Sequence, residues 1–299
     1  MSNGWQYYAL KSFSFIVCLL PYSWILFIGN HIGKLYYHIA GRQRERAISQ
    51  MQESLGLSLE VAQENIYRLF KNLGKTFFEI LYMPALSTEN IQKYVTIENC
   101  HYLEDAMGNG QGVVILTAHF GNWEWLGATL GLEKFPIAGV AKSQPNDQHT
   151  RILNEFRQMT GMELFLRGTS EMINAARALK QGKILGLVAD QDAGPTGVFV
   201  DFFGKMSSSP LGPAFFARKF KAPVVPIFMV RKPEGGHRMI CQEPLYYEDT
   251  GRADEDNYRF TVKTTKKIED IIRLYPDQWL WFQKRWNTKQ PTERIGEQA

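Results

Sequence analysis

The stretch Thr117-Ala118-His119-Phe120-Gly121-Asn122-Trp123-Glu124 sets an imidazole and a carboxylate five residues apart, just past an apolar run. A histidine beside a carboxylate can act as a general base whose tautomer is fixed by its partner. On one continuous helix, five residues turn through roughly 500° at about 100° each, so the two side chains would not share a face. They meet only if the chain turns between them, and Gly121 and Asn122 are residue types that permit a turn. The plainer reading of the same spacing is a core histidine, with Glu124 a solvated residue of the next helix.

The elements that would position these residues are legible on either side. Val113-Val114-Ile115-Leu116 is β-branched and apolar, as in a buried strand, and a helical run extends from Trp125 to about Leu132. A strand-turn-helix unit puts His119 at the carboxyl end of a strand, where open α/β sheets bind ligands. Further strands are expected at Tyr94–Ile97, Ile137–Ala141, Ile184–Ala189, Val198–Phe203, Val224–Val230 and Arg238–Cys241. Helices are expected at Ile39–Leu55, after the cap Ser58, and at Asp147–Thr160, Ser170–Gln181, Leu211–Phe220 and Tyr258–Leu274. The alternation implies an α/β fold, a mixed and largely parallel central sheet flanked by helices.

Other polar clusters lie at element ends. Asp190-Gln191-Asp192 follows the strand ending Leu187-Val188-Ala189. Its two aspartates can fix a turn, order basic side chains, or bind Mg²⁺, although no companion ligands stand nearby in sequence. Arg167 precedes a helix and can meet a phosphate or an oxyanion, or be an ordinary surface arginine. Ser207-Ser208-Ser209-Pro210 opens a further helix, either as a cap or as an anion site. There is no Gly-x-Ser-x-Gly elbow, no phosphate loop and no dinucleotide fingerprint. The cysteines Cys18, Cys100 and Cys241 are too far apart in sequence for metal-ligand spacing. A net charge of +4 on 299 residues gives no sign of a nucleic-acid protein.

Between Lys11 and Lys34 the only ionisable side chains besides tyrosine and cysteine are those of His31, and the segment is apolar and aromatic. A bilayer span takes about 20 such residues, so the length is borderline, and Pro21 sits in the middle. The expectation is a membrane anchor over residues 1–34, either one spanning helix or a broken helix lying partly in the bilayer, with a second domain over 35–299. The alternative is a buried hydrophobic helix pair. Lys34, Arg42, Arg44 and Arg46 follow the segment and place the remainder on the cytoplasmic face by the positive-inside tendency.

Taken together, these residues resemble a known family. His119-Phe120-Gly121-Asn122-Trp123-Glu124 is similar to the His-x4-Asp/Glu (HX4E) motif of glycerolipid-type acyltransferases. In its extended form it is similar to the late, lauroyl/myristoyl acyltransferases of lipid A biosynthesis. Ala189-Asp190-Gln191-Asp192, the Gly197–Gly204 segment, Ala222-Pro223-Val224-Val225-Pro226, Gln278-Trp279-Leu280-Trp281 and Lys284-Arg285-Trp286 agree in order. Asp201 stands where the family pattern has proline, and Ser207–Ser209 replaces a more usual Ala/Thr pattern. The resemblance implies acyl transfer from an acyl carrier protein thioester to a hydroxyl of a lipid A precursor of the Kdo-lipid IVA type, at the cytoplasmic face of the bacterial inner membrane. It implies His119 as base and Glu124 as the group orienting it. Gly121, Asn122, Arg167, Asp190, Asp192 and Ser209 are the candidate oxyanion or substrate-binding residues, and no metal or cofactor is required. Acylation of another glycolipid or a lysophospholipid, or a metal-assisted lipid esterase, are the alternatives.

Overall fold

A computed structural model describes residues 4–108, 110–141, 147–166 and 171–290. A seven-stranded sheet forms the centre, in the order β1-β9-β8-β2-β5-β3-β4. Its strands are β1 (Val95–Glu98), β2 (Val113–Thr117), β3 (Ile137–Ala141), β4 (Glu163–Leu166), β5 (Ile184–Val188), β8 (Val224–Arg231) and β9 (His237–Cys241). All neighbouring pairs run parallel except β8 with β9, so the expected mixed, largely parallel sheet is present. β2 and β8 are buried along their whole lengths, which is why they read as continuous apolar runs rather than alternating ones. β6 (Val198–Phe202) and β7 (Lys205–Ser209) form a separate antiparallel hairpin.

The helices covering the sheet are α3 (Gly41–Leu55), α4 (Leu59–Tyr82), α5 (His101–Gly108), α6 (Trp123–Leu132), α7 (Asp147–Met159), α8 (Glu171–Lys180), α9 (Gly212–Phe220) and α10 (Ala253–Leu274). Ser58 caps α4 as expected, its hydroxyl accepting the Val61 amide. Ser207–Ser209 does not open a helix. Phe203 and Gly204 both have positive φ, as a tight two-residue hairpin turn requires, and fold this segment back onto β6. Asp201, the departure from the family pattern, is exposed and accepts the Gly204 amide across that turn.

The N-terminal apolar run forms two helices, α1 (Trp5–Cys18) and α2 (Tyr22–Ile39), broken at Leu19-Leu20-Pro21. Among the described residues no helix is long and apolar enough to cross a membrane. Pro21 is the reason: it supplies no N–H to the preceding turn and adopts an extended ψ of 141°. The boundary expected after residue 34 falls inside α2. That helix lies backbone to backbone on α4, and a side chain at Gly74 would overlap the carbonyl oxygen of Gly29. Trp5, Tyr8 and Phe15 of α1 and Trp24 and Phe27 of α2 are exposed, as is Leu19 at the break between them.

Candidate active site

β2 and β5 are parallel neighbours, with Thr117 opposite Val188. Each strand is followed by alanine and then by a polar residue, His119 after β2 and Asp190 after β5. The register therefore carries the two side chains to the same place at the carboxyl edge of the sheet. His119 Nδ1 lies 2.7 Å from Asp190 Oδ1. Asp190 is fully buried, whereas the His119 side chain keeps 22% of its surface exposed.

The chain leaves β2 through a turn held on several sides. Gly121 has φ +56°, and any Cβ there would overlap the carbonyl oxygen of Met229 in β8. The Gly121 amide donates to the Gln278 carbonyl at 2.8 Å, and the Leu280 amide to the His119 carbonyl at 3.3 Å. Asn122 caps α6, its Oδ1 accepting the Trp125 amide at 3.0 Å. Its Nδ2 donates to Glu79 Oε2 at 2.8 Å, fastening the turn to α4.

The segment after α10 completes the site. Trp279 Nε1 donates to Asp190 Oδ2 at 2.7 Å and Gln283 Nε2 to the same oxygen at 3.1 Å. Burial pushes the Asp190 carboxyl up, but His119, Trp279 and Gln283 outweigh it and hold it at about 2. Burial likewise pulls the His119 imidazole down. The Asp190 charge and hydrogen bond, with a smaller contribution from Glu124, more than reverse this, and its pKa stands above the ordinary histidine value. An ionised Asp190 fixes the proton of neutral His119 on Nδ1 and leaves Nε2 as the basic atom.

Glu124 was expected to hold the imidazole and is engaged elsewhere. Arg157 of α7 grips it at two points, Nε to Oε2 at 2.7 Å and Nη2 to Oε1 at 2.6 Å. Trp123 Nε1 also donates to Glu124 Oε1, at 3.1 Å. The physical reason is that Glu124 sits in the first turn of α6, where its side chain meets α7. His119 lies two residues past β2 and meets Asp190, two residues past β5. The Trp123 ring stands edge-on to the imidazole with centroids 5.1 Å apart. Glu124 thus reaches His119 through its field, not through a hydrogen bond.

The remaining candidates separate. The Gly121 amide and both polar atoms of the Asn122 side chain are committed to the turn. Asp192 Oδ2 accepts from Thr288 at 2.7 Å. Ser209 is buried, and its Oγ accepts from Arg285, whose guanidinium lies 4.9 Å from the centroid of the Phe202 ring. Arg167 lies outside the described residues. Among the described residues no group of three or more His, Cys, Asp and Glu is arranged to hold a metal ion.

An open-edged histidine held by a buried aspartate suits proton abstraction from a hydroxyl. Comparison with known proteins shows the family. The family model of the bacterial lipid A biosynthesis acyltransferases matches residues 1–288. The chain belongs to this family. It is similar to the lipid A biosynthesis lauroyltransferase of Escherichia coli, 24% identical over 291 residues, covering 92% of this chain and 89% of that one. The Escherichia coli palmitoleoyltransferase is also 24% identical, over 90% of this chain and 87% of its own. A phosphatidylinositol mannoside acyltransferase of Mycolicibacterium smegmatis is 25% identical, over 79% and 76% respectively. The protein is accordingly an O-acyltransferase.

The site contains residues to which sequence reasoning gave no role. Trp279 was noticed only as part of a matching motif, and Gln283, Arg157 and Glu79 were not singled out. One signal could have paired His119 with Asp190: the two apolar strands end alike, in Thr-Ala-His and Val-Ala-Asp.

Proposed function

We propose that this acyltransferase moves a fatty acyl group from an acyl carrier protein thioester to a hydroxyl of a lipid A precursor of the Kdo-lipid IVA type. The observation that carries the reading is His119. Nδ1 is tied to Asp190, and Nε2 has no hydrogen-bond partner among the described residues. Nε2 takes the proton of the acceptor hydroxyl as its oxygen attacks the thioester carbonyl. The tetrahedral intermediate then collapses, the C–S bond breaks, and the imidazolium returns the proton to the leaving thiolate. Products are the lipid ester and the free carrier thiol. Asp190 keeps the tautomer and stabilises the transient imidazolium. The Arg157–Glu124 ion pair ties α6 to α7 next to the Trp123 ring that stands against the imidazole.

The setting proposed is the cytoplasmic face of the bacterial inner membrane. The broken helix pair α1–α2, with exposed Trp5, Phe15, Trp24 and Phe27, supports lying in the interface rather than spanning. Lys34, Arg42, Arg44 and Arg46 follow in a basic stretch suited to anionic lipid or to an acidic carrier protein. Similarity to the phosphatidylinositol mannoside acyltransferase supports a second reading, another glycolipid as acceptor.

Mass spectrometry of the lipids formed by the purified enzyme tests the reading, using a panel of carrier-protein thioesters with lipid A precursors and mannosylated lipids. A mass gain of one acyl chain on a lipid A precursor is expected, and His119→Ala should lower its rate by about 10²–10⁴-fold. Near-normal turnover by that variant would overturn the assignment of the base.

A further inference from the structure

A cleft of about 260 Å³ opens between α2 and the turn that joins β8 to β9. It lies apart from His119, Asp190 and Glu124, none of which lines it. Leu26, Phe27 and Asn30 form one side, spaced along a single face of α2, and Ser23 precedes them by one turn. Lys232 and Glu234 come from the turn opposite.

The more buried part of the lining is cationic. Lys75 of α4 is half-buried, and Arg231 is only 6% exposed. Arg231 gives Nη1 and Nη2 to Glu79, while its Nε is buried with no hydrogen-bond partner. Among the described residues neither Lys75 nor Lys232 has a carboxylate at ion-pair distance. Burial draws the Lys75 ammonium down, and Arg231 and Lys71 push it further; Glu79 and Asp277 oppose this more weakly. The lining itself thus carries three cations, Lys75, Arg231 and Lys232, against one carboxylate, Glu234, with Glu79 and Asp277 set behind it. The excess positive charge is sheltered, and hydroxyl and amide groups from Ser23 and Asn30 stand beside it.

The same face of α2 is apolar where it meets solvent. Phe27, itself in the lining, is 64% exposed and Trp24 is 61% exposed. Aromatic side chains next to unpaired lysines match the boundary of a bilayer, where acyl chains give way to phosphates. From this juxtaposition we infer that the cleft binds the phosphodiester headgroup of an anionic phospholipid, and so fixes how the enzyme sits on the membrane. The inference rests on the proposed membrane setting and adds a site to it. Lysine ammonium groups bind the phosphate as point charges, and Arg231, a lining residue, carries a buried Nε–H with no hydrogen-bond partner.

Sedimentation of the full chain with vesicles tests this, with phosphatidylcholine alone or mixed with phosphatidylglycerol. The wild type should bind both and favour the anionic vesicles. Lys75→Gln with Lys232→Gln should lower affinity for the anionic vesicles by up to about 30-fold, at about 1 kcal/mol per lysine near the surface. Binding to phosphatidylcholine should persist. Lys232→Gln alone, on the turn, should show part of the loss without touching the packing of α4. Lys93→Gln with Lys180→Gln removes the same charge from exposed positions elsewhere and should leave the preference in place.

An equal loss in that control would overturn the site in favour of general charge attraction. A raised KM for detergent-dispersed acceptor, with unchanged vesicle affinity, would overturn it in favour of an acceptor phosphate. Failure of the wild type to bind either vesicle would sink the membrane setting and this site with it. A wild type that binds both vesicles without favouring the anionic ones would sink only the site.

Discussion

Two histidine–carboxylate pairs lie among the described residues, and they behave oppositely. His119 pairs with Asp190 at 2.7 Å and His237 with Glu79 at 3.0 Å, and both carboxylates are fully buried. Yet the pKa of His119 is raised, whereas that of His237 is lowered. For both, burial is the largest influence and favours the neutral ring. The difference lies in what else holds each carboxylate. Glu79 is gripped by the Arg231 guanidinium, which cancels its charge and itself repels a proton on His237. Among the described residues Asp190 accepts hydrogen bonds from the neutral donors Trp279 and Gln283 besides the histidine, and Arg285 reaches it only through its field, so more of its charge is left for the imidazole. Exposure divides them as well, since His237 is sealed and His119 is open at one edge. A base therefore needs a carboxylate that no arginine grips and a way out to solvent. The same residue types with an added arginine and no exit make a strut.

The comparison breaks first at Glu79. Substituting Glu79→Ala leaves Arg231 buried without its counter-ion and frees Asn122 from α4, and one-sided loss of a buried pair costs about 3–5 kcal/mol. A fall in melting temperature of roughly 10 °C is expected by calorimetry, at a few degrees per kcal/mol for a chain of this size. The double substitution Glu79→Leu/Arg231→Met should recover much of the loss. A Glu79→Ala protein with unchanged melting temperature would show that the pair is not the strut proposed. The sign of its pH dependence follows from Glu79, held well below its ordinary carboxylate value by Arg231 and His237 against the opposing effect of burial. Its contribution is full above the unfolded carboxylate pKa and fades as pH falls through the folded value.

Asp190→Asn sharpens the catalytic half. It removes the charge and lets an amide nitrogen face Nδ1, favouring the wrong tautomer. A loss in kcat/KM of about 10²–10³-fold is expected, less than for His119→Ala. The direction of the pH shift is the more discriminating readout. With Asp190 neutral, burial dominates and the imidazole pKa drops, so the acidic limb of the kcat/KM profile should move to lower pH. A limb that stays in place would mean that Asp190 does not set the proton affinity of the base.

Much of this was legible in the sequence, for reasons that differ by element. β2 and β8 stand out because strands buried on both faces are continuous apolar runs. His119 and its turn stand out because glycine and asparagine follow a strand. β4 was missed because Glu163-Leu164-Phe165-Leu166 is short and pairs only with β3. β7 was missed because Lys-Met-Ser-Ser-Ser has little apolar signal and becomes a strand through its hairpin partner. The charge-bearing part of the site was hidden for a third reason. His119 and Asp190 are separated by 71 residues and meet only through the β2–β5 register. Glu79 reaches Arg231 and His237 across more than 150 residues. Local spacing carries no trace of such contacts, and it offered Glu124 as the nearest carboxylate instead.

Glu124 is where the two regions can be told apart most finely. It lies close enough to His119 to raise its pKa slightly, yet its oxygens are taken by Arg157, as those of Glu79 are taken by Arg231. In charge it resembles the strut, and in position it belongs to the base. Glu124→Gln keeps an acceptor for Arg157 but removes the anion, so the guanidinium loses its charge partner. A fall in kcat/KM of about tenfold is expected, near 1.4 kcal/mol, with a smaller downward shift of the acidic limb than Asp190→Asn produces. Glu124→Asp should recover part of the rate by restoring the charge at a shorter reach. If Glu124→Gln instead exceeded Asp190→Asn in both rate loss and limb shift, the orienting role would return to Glu124. The buried His119–Asp190 contact would then have to be counted with the struts.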